Sequence, residues 1–103
     1  MKTKFWEGAV DEELEKSTEK FGENHSNHES YAILAEEVEE FEEEMADIRR
    51  CLDISWTLTR KNLDTGLLKA LDSMSEAAEK ANTELIQVGA MIKKWKNFLN
   101  SKK

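Results

Sequence analysis

The sequence predicts an all-α protein, and three observations support this fold class. The chain has 103 residues, no proline and only four glycines, so little in it interrupts a helix. Two long segments carry apolar residues at alternating steps of three and four, which is the spacing of one helix face. Cap and turn signals divide the chain into three helices. Because a chain of this length builds one core, we expect residues 1–103 to form a single domain.

The first helix is expected to begin near Trp6 or Val10 and to end at Phe21. Gly22 follows directly and can adopt the left-handed conformation that closes a helix. The spacing of Val10, Leu14 and Phe21 places them on one side of this helix. We therefore expect these three side chains to face inward.

The second helix is expected to begin at a capping box and to run to about Arg60. Ser26 with Glu29 three residues later has the pattern of this motif. The apolar residues of the helix are predicted to form a first buried seam, which consists of Leu34, Val38, Phe41, Met45, Ile48 and Leu52.

The third helix is expected to follow a turn at residues 62–66 and to run to about Asn100. Asp64 or Thr65 is the predicted cap. A second buried seam is predicted along this helix, made of Leu71, Met74, Ala78, Ala81, Leu85, Val88, Ile92, Trp95 and Leu99. Helices of more than thirty residues, roughly 45–50 Å, are long for so small a domain. Either the last one breaks, at residues 73–75 or 81–83, or the long helices pair with another chain, or both. We expect a homo-oligomer.

Acidic side chains accompany both seams. Glu37, Glu40 and Glu44 lie on one helix face, each directly before a seam residue. Glu84 and Gln87 stand in the same relation to the second seam, so the two polar edges are expected to meet. Carboxylate oxygens are the ligands that Mg²⁺ prefers, and a chain with one cysteine cannot offer a thiolate site. The pattern predicts a magnesium site that handles phosphorylated substrates, although an acidic run is also typical of a solvated face.

Charge and hydropathy exclude several function classes. The net charge of −7 argues against general nucleic-acid binding. No long apolar segment indicates a membrane span or a secretory leader, so we expect a cytoplasmic protein without membrane contact. Lysines gather near the C-terminus around Trp95, where they either attract nucleotide phosphates or complement the helix dipole.

Four segments carry a resemblance to a known family. They are KFG at residues 20–22, HESYA at 28–32, EEVEE at 36–40 and ELIQVGAM at 84–91. Together they resemble small MazG-like proteins of the all-alpha NTP pyrophosphohydrolase superfamily, and phage and prophage members look most similar. The most specific part of this resemblance is the combination of HESYA before the acidic motif with the late ELIQVGAM segment.

The resemblance implies a fold and an activity. Its members are helical bundles with long antiparallel helices, completed as homodimers or homotetramers. They hydrolyse nucleoside triphosphates to monophosphate and pyrophosphate with Mg²⁺, for which Mn²⁺ is a possible substitute. By this resemblance Glu37, Glu40 and Glu84 are metal ligands, and Glu36 joins Glu37 in catalysis. Gln87 is a weaker metal ligand, because it stands where the family has an aspartate.

Several roles stay open at the level of sequence. The phosphates could be held by any of Arg49, Arg50, Lys61, Lys93 and Lys94. His28 is either an acid–base group or a structural residue at the helix start, and Trp56 or Trp95 could stack on a base. The competing function is that of an acidic helical interaction protein which keeps the MazG-like fold without catalysis.

Overall fold

The computed structural model describes residues 4–102, which form three α-helices and contain no strand. Helix α1 spans Lys4–Phe21, α2 spans Asn27–Arg60 and α3 spans Asp64–Ser101. Helices α2 and α3 form an antiparallel hairpin, and α1 packs against α3. The all-α prediction is confirmed. None of the described helices has a stretch apolar enough, and long enough, to cross a membrane.

The first two helix boundaries follow from local chemistry that the sequence shows. Gly22 has a φ of +76° and closes α1, as predicted. Ser26 is extended, and its Oγ accepts a hydrogen bond from the backbone N–H of Glu29 at 3.0 Å. This bond confirms the predicted N-cap of α2.

The start of α3 differs from the prediction. Its N-cap is Leu63, which makes no side-chain capping bond, so the assignment of Asp64 or Thr65 as the cap was wrong. The turn is closed by backbone groups instead: Leu63 N–H donates to the Leu58 carbonyl at 3.1 Å, and Asn62 takes a positive φ of 54°. Asp64 lies in the first helical turn, where a negative charge stabilises the helix dipole.

Both long helices continue without interruption. Helix α2 has 34 residues and α3 has 38, so the alternative of a break at residues 73–75 or 81–83 is excluded, and pairing with another chain stays a prediction. Small residues on α3, Ala70, Ala77 and Ala81, are buried in the hairpin and allow the two helices to approach each other along their length. Contact with α2 therefore stabilises the part of α3 in which a break was considered.

The apolar core lies where the three helices meet. Buried Val10, Ala90 and Met91 form its centre, and partly buried Trp6, Leu14, Ile33 and Leu34 pack around them. Helix α1 crosses α3 closely at Gly89, where an added Cβ would lie 2.7 Å from Trp6 Cζ2 and 2.9 Å from Val10 Cγ2. Phe21 is 70% exposed, so its predicted inward position was wrong; it lies at the last turn of α1, beyond this core.

The line of contact between α2 and α3 differs by one residue from the predicted seams. Buried or half-buried residues seven positions apart define this contact line; they are Ser30, Glu37, Glu44 and Cys51 on α2 and Ala70, Ala77, Glu84, Met91 and Phe98 on α3. The acidic residues thus lie between the helices rather than beside the core.

The residues that follow each contact position form an apolar surface, which we call the open face. It consists of Tyr31, Val38, Met45 and Leu52 on α2 and of Leu71, Ala78, Leu85, Ile92 and Leu99 on α3. One residue is a rotation of about 100°, and in an antiparallel pair this rotation turns both series to the same side. The four large α3 side chains are 39–46% exposed. The prediction of buried seams is therefore wrong for the exposed residues of the open face. The remaining seam residues are buried or half-buried, namely Leu34, Phe41 and Ile48 on α2 and Met74, Ala81, Val88 and Trp95 on α3.

Candidate metal centre

Three carboxylates from the two long helices come together at the contact line. Glu37 and Glu40 lie one turn apart on α2, and Glu84 faces them from α3. One oxygen atom of each residue lies within 4.8 Å of an oxygen of the other two. The two polar edges that the sequence placed on separate helices thus do meet.

The crowding of these groups changes their acidity. Burial is the largest cause that raises the pKa of Glu37, and the charges of Glu40, Glu84 and Glu36 add to it, so that its pKa is about 7 instead of 4.5. Burial also raises the pKa of Glu84, followed by its hydrogen bond with Glu40 and the charge of that residue. The cluster therefore carries repulsion that a bound cation would relieve.

Gln87 lies one turn from Glu84 and contacts two of the carboxylates. With its amide nitrogen turned towards them, it donates to Glu84 Oε2 and to Glu37 Oε2, each at 2.9 Å. In this orientation the side chain is a donor that satisfies carboxylate oxygens. A role as metal ligand requires the amide to rotate and present its oxygen, and this role stays a prediction.

The donor set fits a hard divalent cation. All three groups are carboxylates, and no histidine or cysteine among the described residues joins them. Mg²⁺ and Mn²⁺ bind oxygen ligands of this kind, whereas Zn²⁺ sites are usually built from histidine and cysteine. Because two helices of a hairpin carry the ligands, folding of the hairpin itself assembles the site.

A cavity of about 660 Å³ adjoins the carboxylates, and all three helices contribute to its wall. Glu13, Glu29, Glu36 and Glu37 line it together with Gln87, and among them Glu37 is the member of the carboxylate group. Basic and hydroxyl side chains also line it, namely Lys16, Ser17 and Lys20 from α1 and Lys94 from α3. Glu36, predicted as a catalytic residue, is exposed and faces this cavity without belonging to the group of three oxygens. The volume is in the range of small-molecule sites.

The structure separates the five cations that the sequence left unranked. Arg49 pairs with Asp53 at 3.4 Å, and Arg50 pairs with Asp47. Lys93 pairs with Asp11 on the other side of α3, and Lys61 is exposed in the turn after α2. Of the five candidates, Lys94 lines the cavity beside the carboxylates.

The histidine and tryptophan candidates lie elsewhere. His28 is exposed and does not line the cavity, whereas His25 does and contacts Glu29 at 3.2 Å. Trp56 is 62% exposed near the end of α2. Trp95 donates from Nε1 to Asn27 Oδ1 at 2.9 Å, so its polar edge is already used. Neither tryptophan borders the cavity, and base stacking on them stays a prediction.

The HESYA segment has a local structural role. Ser30 is buried, accepts a hydrogen bond from Asn24 Nδ2 at 2.7 Å and donates to the Ser26 carbonyl at 2.8 Å. These bonds fix the loop that joins α1 to α2. The sequence reading missed the contribution of α1 to the cavity; the recurrence of Lys16 and Lys20 four residues apart, around Ser17, was the available signal.

Comparisons of the chain with models of protein families, with curated proteins and with solved structures found no match. The resemblance to MazG-like proteins therefore stays a prediction, and the function must be argued from the site itself.

Proposed function

We propose that this protein is a cytoplasmic, magnesium-dependent nucleoside triphosphate pyrophosphohydrolase of MazG-like type, which releases nucleoside monophosphate and pyrophosphate. The observation that carries the proposal is the group of Glu37, Glu40 and Glu84 at the edge of a cavity that also contains lysines. Carboxylates that hold a hard cation, next to cations that attract phosphate, form the combination that phosphoanhydride hydrolysis requires.

The residues have distinct parts in this chemistry. Glu37, Glu40 and Glu84 would hold Mg²⁺, which when bound polarises a phosphate and lowers the pKa of a water. Glu36, which directly precedes Glu37, faces the cavity and would accept a proton from the attacking water. Gln87 would be the weaker fourth ligand, with its amide turned so that the oxygen faces the cation.

The activity is tested by pyrophosphate release from a panel of ribo- and deoxyribonucleoside triphosphates with Mg²⁺ or Mn²⁺. We expect release by the parent protein and its loss in Glu40→Gln. Glu39→Gln is the matched control, because Glu39 is exposed on the same helix and outside the carboxylate group. Failure of every triphosphate, or equal release by parent and Glu40→Gln, would contradict the proposal.

A second candidate function rests on Gln87. If its amide remains a donor to Glu37 and Glu84, these carboxylate oxygens are satisfied by hydrogen bonds instead of by a cation. The protein is then a non-enzymatic interaction module. Metal titration distinguishes the two functions. An interaction module would show no saturable binding of Mg²⁺, whereas the enzyme must bind the ion with an affinity that depends on Glu37 and Glu40.

We further propose that the open face pairs with a second copy of the chain, giving a homodimer or homotetramer. The chain exposes 7729 Å². A compact monomer of 11.9 kDa exposes about 6,000 Å². The excess of about 1,700 Å² is more than the roughly 800 Å² per partner that a standard interface buries. The radius of gyration is 17.9 Å, compared with about 13 Å for a compact domain of this length. The chain is therefore more extended than a compact monomer.

The seven-residue spacing of the open face supports the proposal that its partner is another long helical hairpin. Light scattering should therefore give the mass of a dimer or tetramer for the parent. Leu85→Glu and Ile92→Glu place charges on the open face and should shift this mass towards the monomer. Phe5→Glu is the control, because Phe5 is also exposed but lies on α1. A monomer mass for the parent at all concentrations would refute this part of the proposal.

A further inference from the structure

The cavity beside the carboxylates contains a buried lysine to which the metal chemistry assigns no role. Lys94 is 2% exposed, and its Nζ donates to Ser17 Oγ at 3.0 Å. No carboxylate of the described residues lies within the 4.0 Å of Nζ that would make an ion pair. The partner of this buried cation is thus a neutral hydroxyl.

Such an arrangement is unfavourable for the protein alone. An ammonium group has three N–H donors, and one of them is used here. Removal of a charged amine from water is costly unless an anion compensates it. Because Lys94 lines a cavity, a bound anionic ligand can reach it and supply this compensation.

Comparison with the neighbouring residue shows that the position of Lys94 is specific. Lys93 is exposed, pairs with Asp11 and lines a different cavity between α1 and α3. Lys16 and Lys20 extend the basic wall around Lys94 towards solvent, and Lys16 contacts Glu12 at 3.5 Å as a surface pair. The buried cation therefore lies in the same cavity as Glu37, in a lining that carries three lysines and four glutamates.

We propose that Lys94, with Ser17, binds one phosphate group of a ligand whose adjacent phosphate is held at the metal centre of Glu37, Glu40 and Glu84. The ligand class is a phosphoanhydride, that is, pyrophosphate or the phosphate chain of a nucleoside triphosphate. This inference rests on the proposed function for its second contact. The Lys94 contact itself rests on burial and hydrogen bonding in the structure.

The test is calorimetric titration of the whole protein with inorganic pyrophosphate in the presence of Mg²⁺. Inorganic phosphate and a nucleoside monophosphate are titrated in parallel, and Mg²⁺ is titrated alone. The variants are Lys94→Met, which keeps the length but removes the charge, and Lys94→Arg, which keeps the charge. Lys93→Met is the matched control. Circular dichroism confirms folding, and Ser17→Ala supplies a second variant that does not alter the lysine.

We expect Lys94→Met to bind pyrophosphate about tenfold to a hundredfold more weakly, the loss expected for a charged hydrogen bond. Its binding of Mg²⁺ should be unchanged. Lys94→Arg should retain part of the affinity, Ser17→Ala should lose several-fold, and Lys93→Met should bind as the parent does. Pyrophosphate should bind at least about tenfold more tightly than phosphate or the monophosphate, because only the anhydride spans both contacts.

Parent-like binding of pyrophosphate by Lys94→Met, or no binding by the parent, would overturn the assignment. Equal affinity for phosphate and pyrophosphate would overturn the two-contact geometry. The proposed function can fail separately. Lys94-dependent binding of pyrophosphate without hydrolysis of any triphosphate would establish this anion site and refute the proposed enzymatic activity. Hydrolysis of triphosphates by Lys94→Met with the parent's KM would support the enzyme and overturn the Lys94 anion site.

Discussion

Replacement of Glu37 by glutamine should stabilise the folded chain, and the gain should depend on pH. Burial and the charges of Glu40, Glu84 and Glu36 raise the pKa of Glu37 to about 7. The unfolded chain ionises this group near 4.5, so between these values the folded state binds more protons. The free energy of unfolding therefore falls as pH rises from about 4.5 to 7, and the loss is complete above that range.

The size of the effect follows from the same pKa. A change from 4.5 to about 7 corresponds to roughly 3 kcal/mol. Because these carboxylates are partly exposed to water, screening reduces this figure to about 1–2 kcal/mol. Glutamine resembles the protonated acid, so Glu37→Gln should gain this amount above about pH 7 and almost nothing near pH 4.5. For a domain of this length the gain raises Tm by roughly 5–15 °C.

Thermal unfolding followed by circular dichroism at about pH 5 and about pH 8, with a metal chelator and at one protein concentration, measures this difference. Glu39→Gln is the control and should change stability by less than about 0.5 kcal/mol at either pH, because Glu39 is exposed on the same helix. A gain of equal size at both pH values, or no gain at the higher one, would refute the argument that Glu37 is repelled by its neighbours.

Three further predictions follow from the geometry. The affinity for Mg²⁺ should rise between about pH 6 and pH 8, because the proton on Glu37 must leave; calorimetry at several pH values checks this, and a flat profile would contradict it. Gly89→Ala should cost about 1–2 kcal/mol, because its Cβ would overlap Trp6, whereas Gly8→Ala has open space and should gain about 0.5–1 kcal/mol; equal melting shifts would disprove this packing. Gln87→Asp should tighten binding of Mg²⁺, and lower stability with unchanged affinity would exclude this position as a ligand.

The sequence predicted a helix boundary correctly where residues next to that boundary determine it. Gly22 and Ser26 act within a few residues of themselves, so the end of α1 and the start of α2 could be read directly. The start of α3 could not, because backbone bonds close the turn and the side chain of Asp64 is not used as a cap. The apolar periodicity along α3 correctly indicated a continuous helix. The polar residues within 73–75 and 81–83, where a break was considered, do not interrupt it.

The site was predicted in part. The acidic spacing placed Glu37, Glu40 and Glu44 on one face and led us to expect Glu84 opposite them. The structure brings Glu37, Glu40 and Glu84 together, and Glu44 is not a member of this group. The predicted seams were partly wrong because alternating steps of three and four residues identify a helix face that will be covered. They do not identify the partner that covers it. The α2–α3 contact runs one residue earlier, through Glu37 and Glu84, and leaves Leu85 on the open face. The contribution of α1 to the cavity depends on the crossing at Gly89, which no single helix reveals.

The central claim is that carboxylates from α2 and α3 together bind one divalent cation. Calorimetric titration of Mn²⁺ or Mg²⁺ into the parent, Glu40→Gln, Glu84→Gln and Glu39→Gln tests it most directly. We expect one saturable site per chain, weakened at least about tenfold by the change at Glu40 and equally by the change at Glu84, and unaltered in Glu39→Gln. Parent-like affinity in Glu84→Gln would contradict it, because the site would then be an acidic surface of α2 alone.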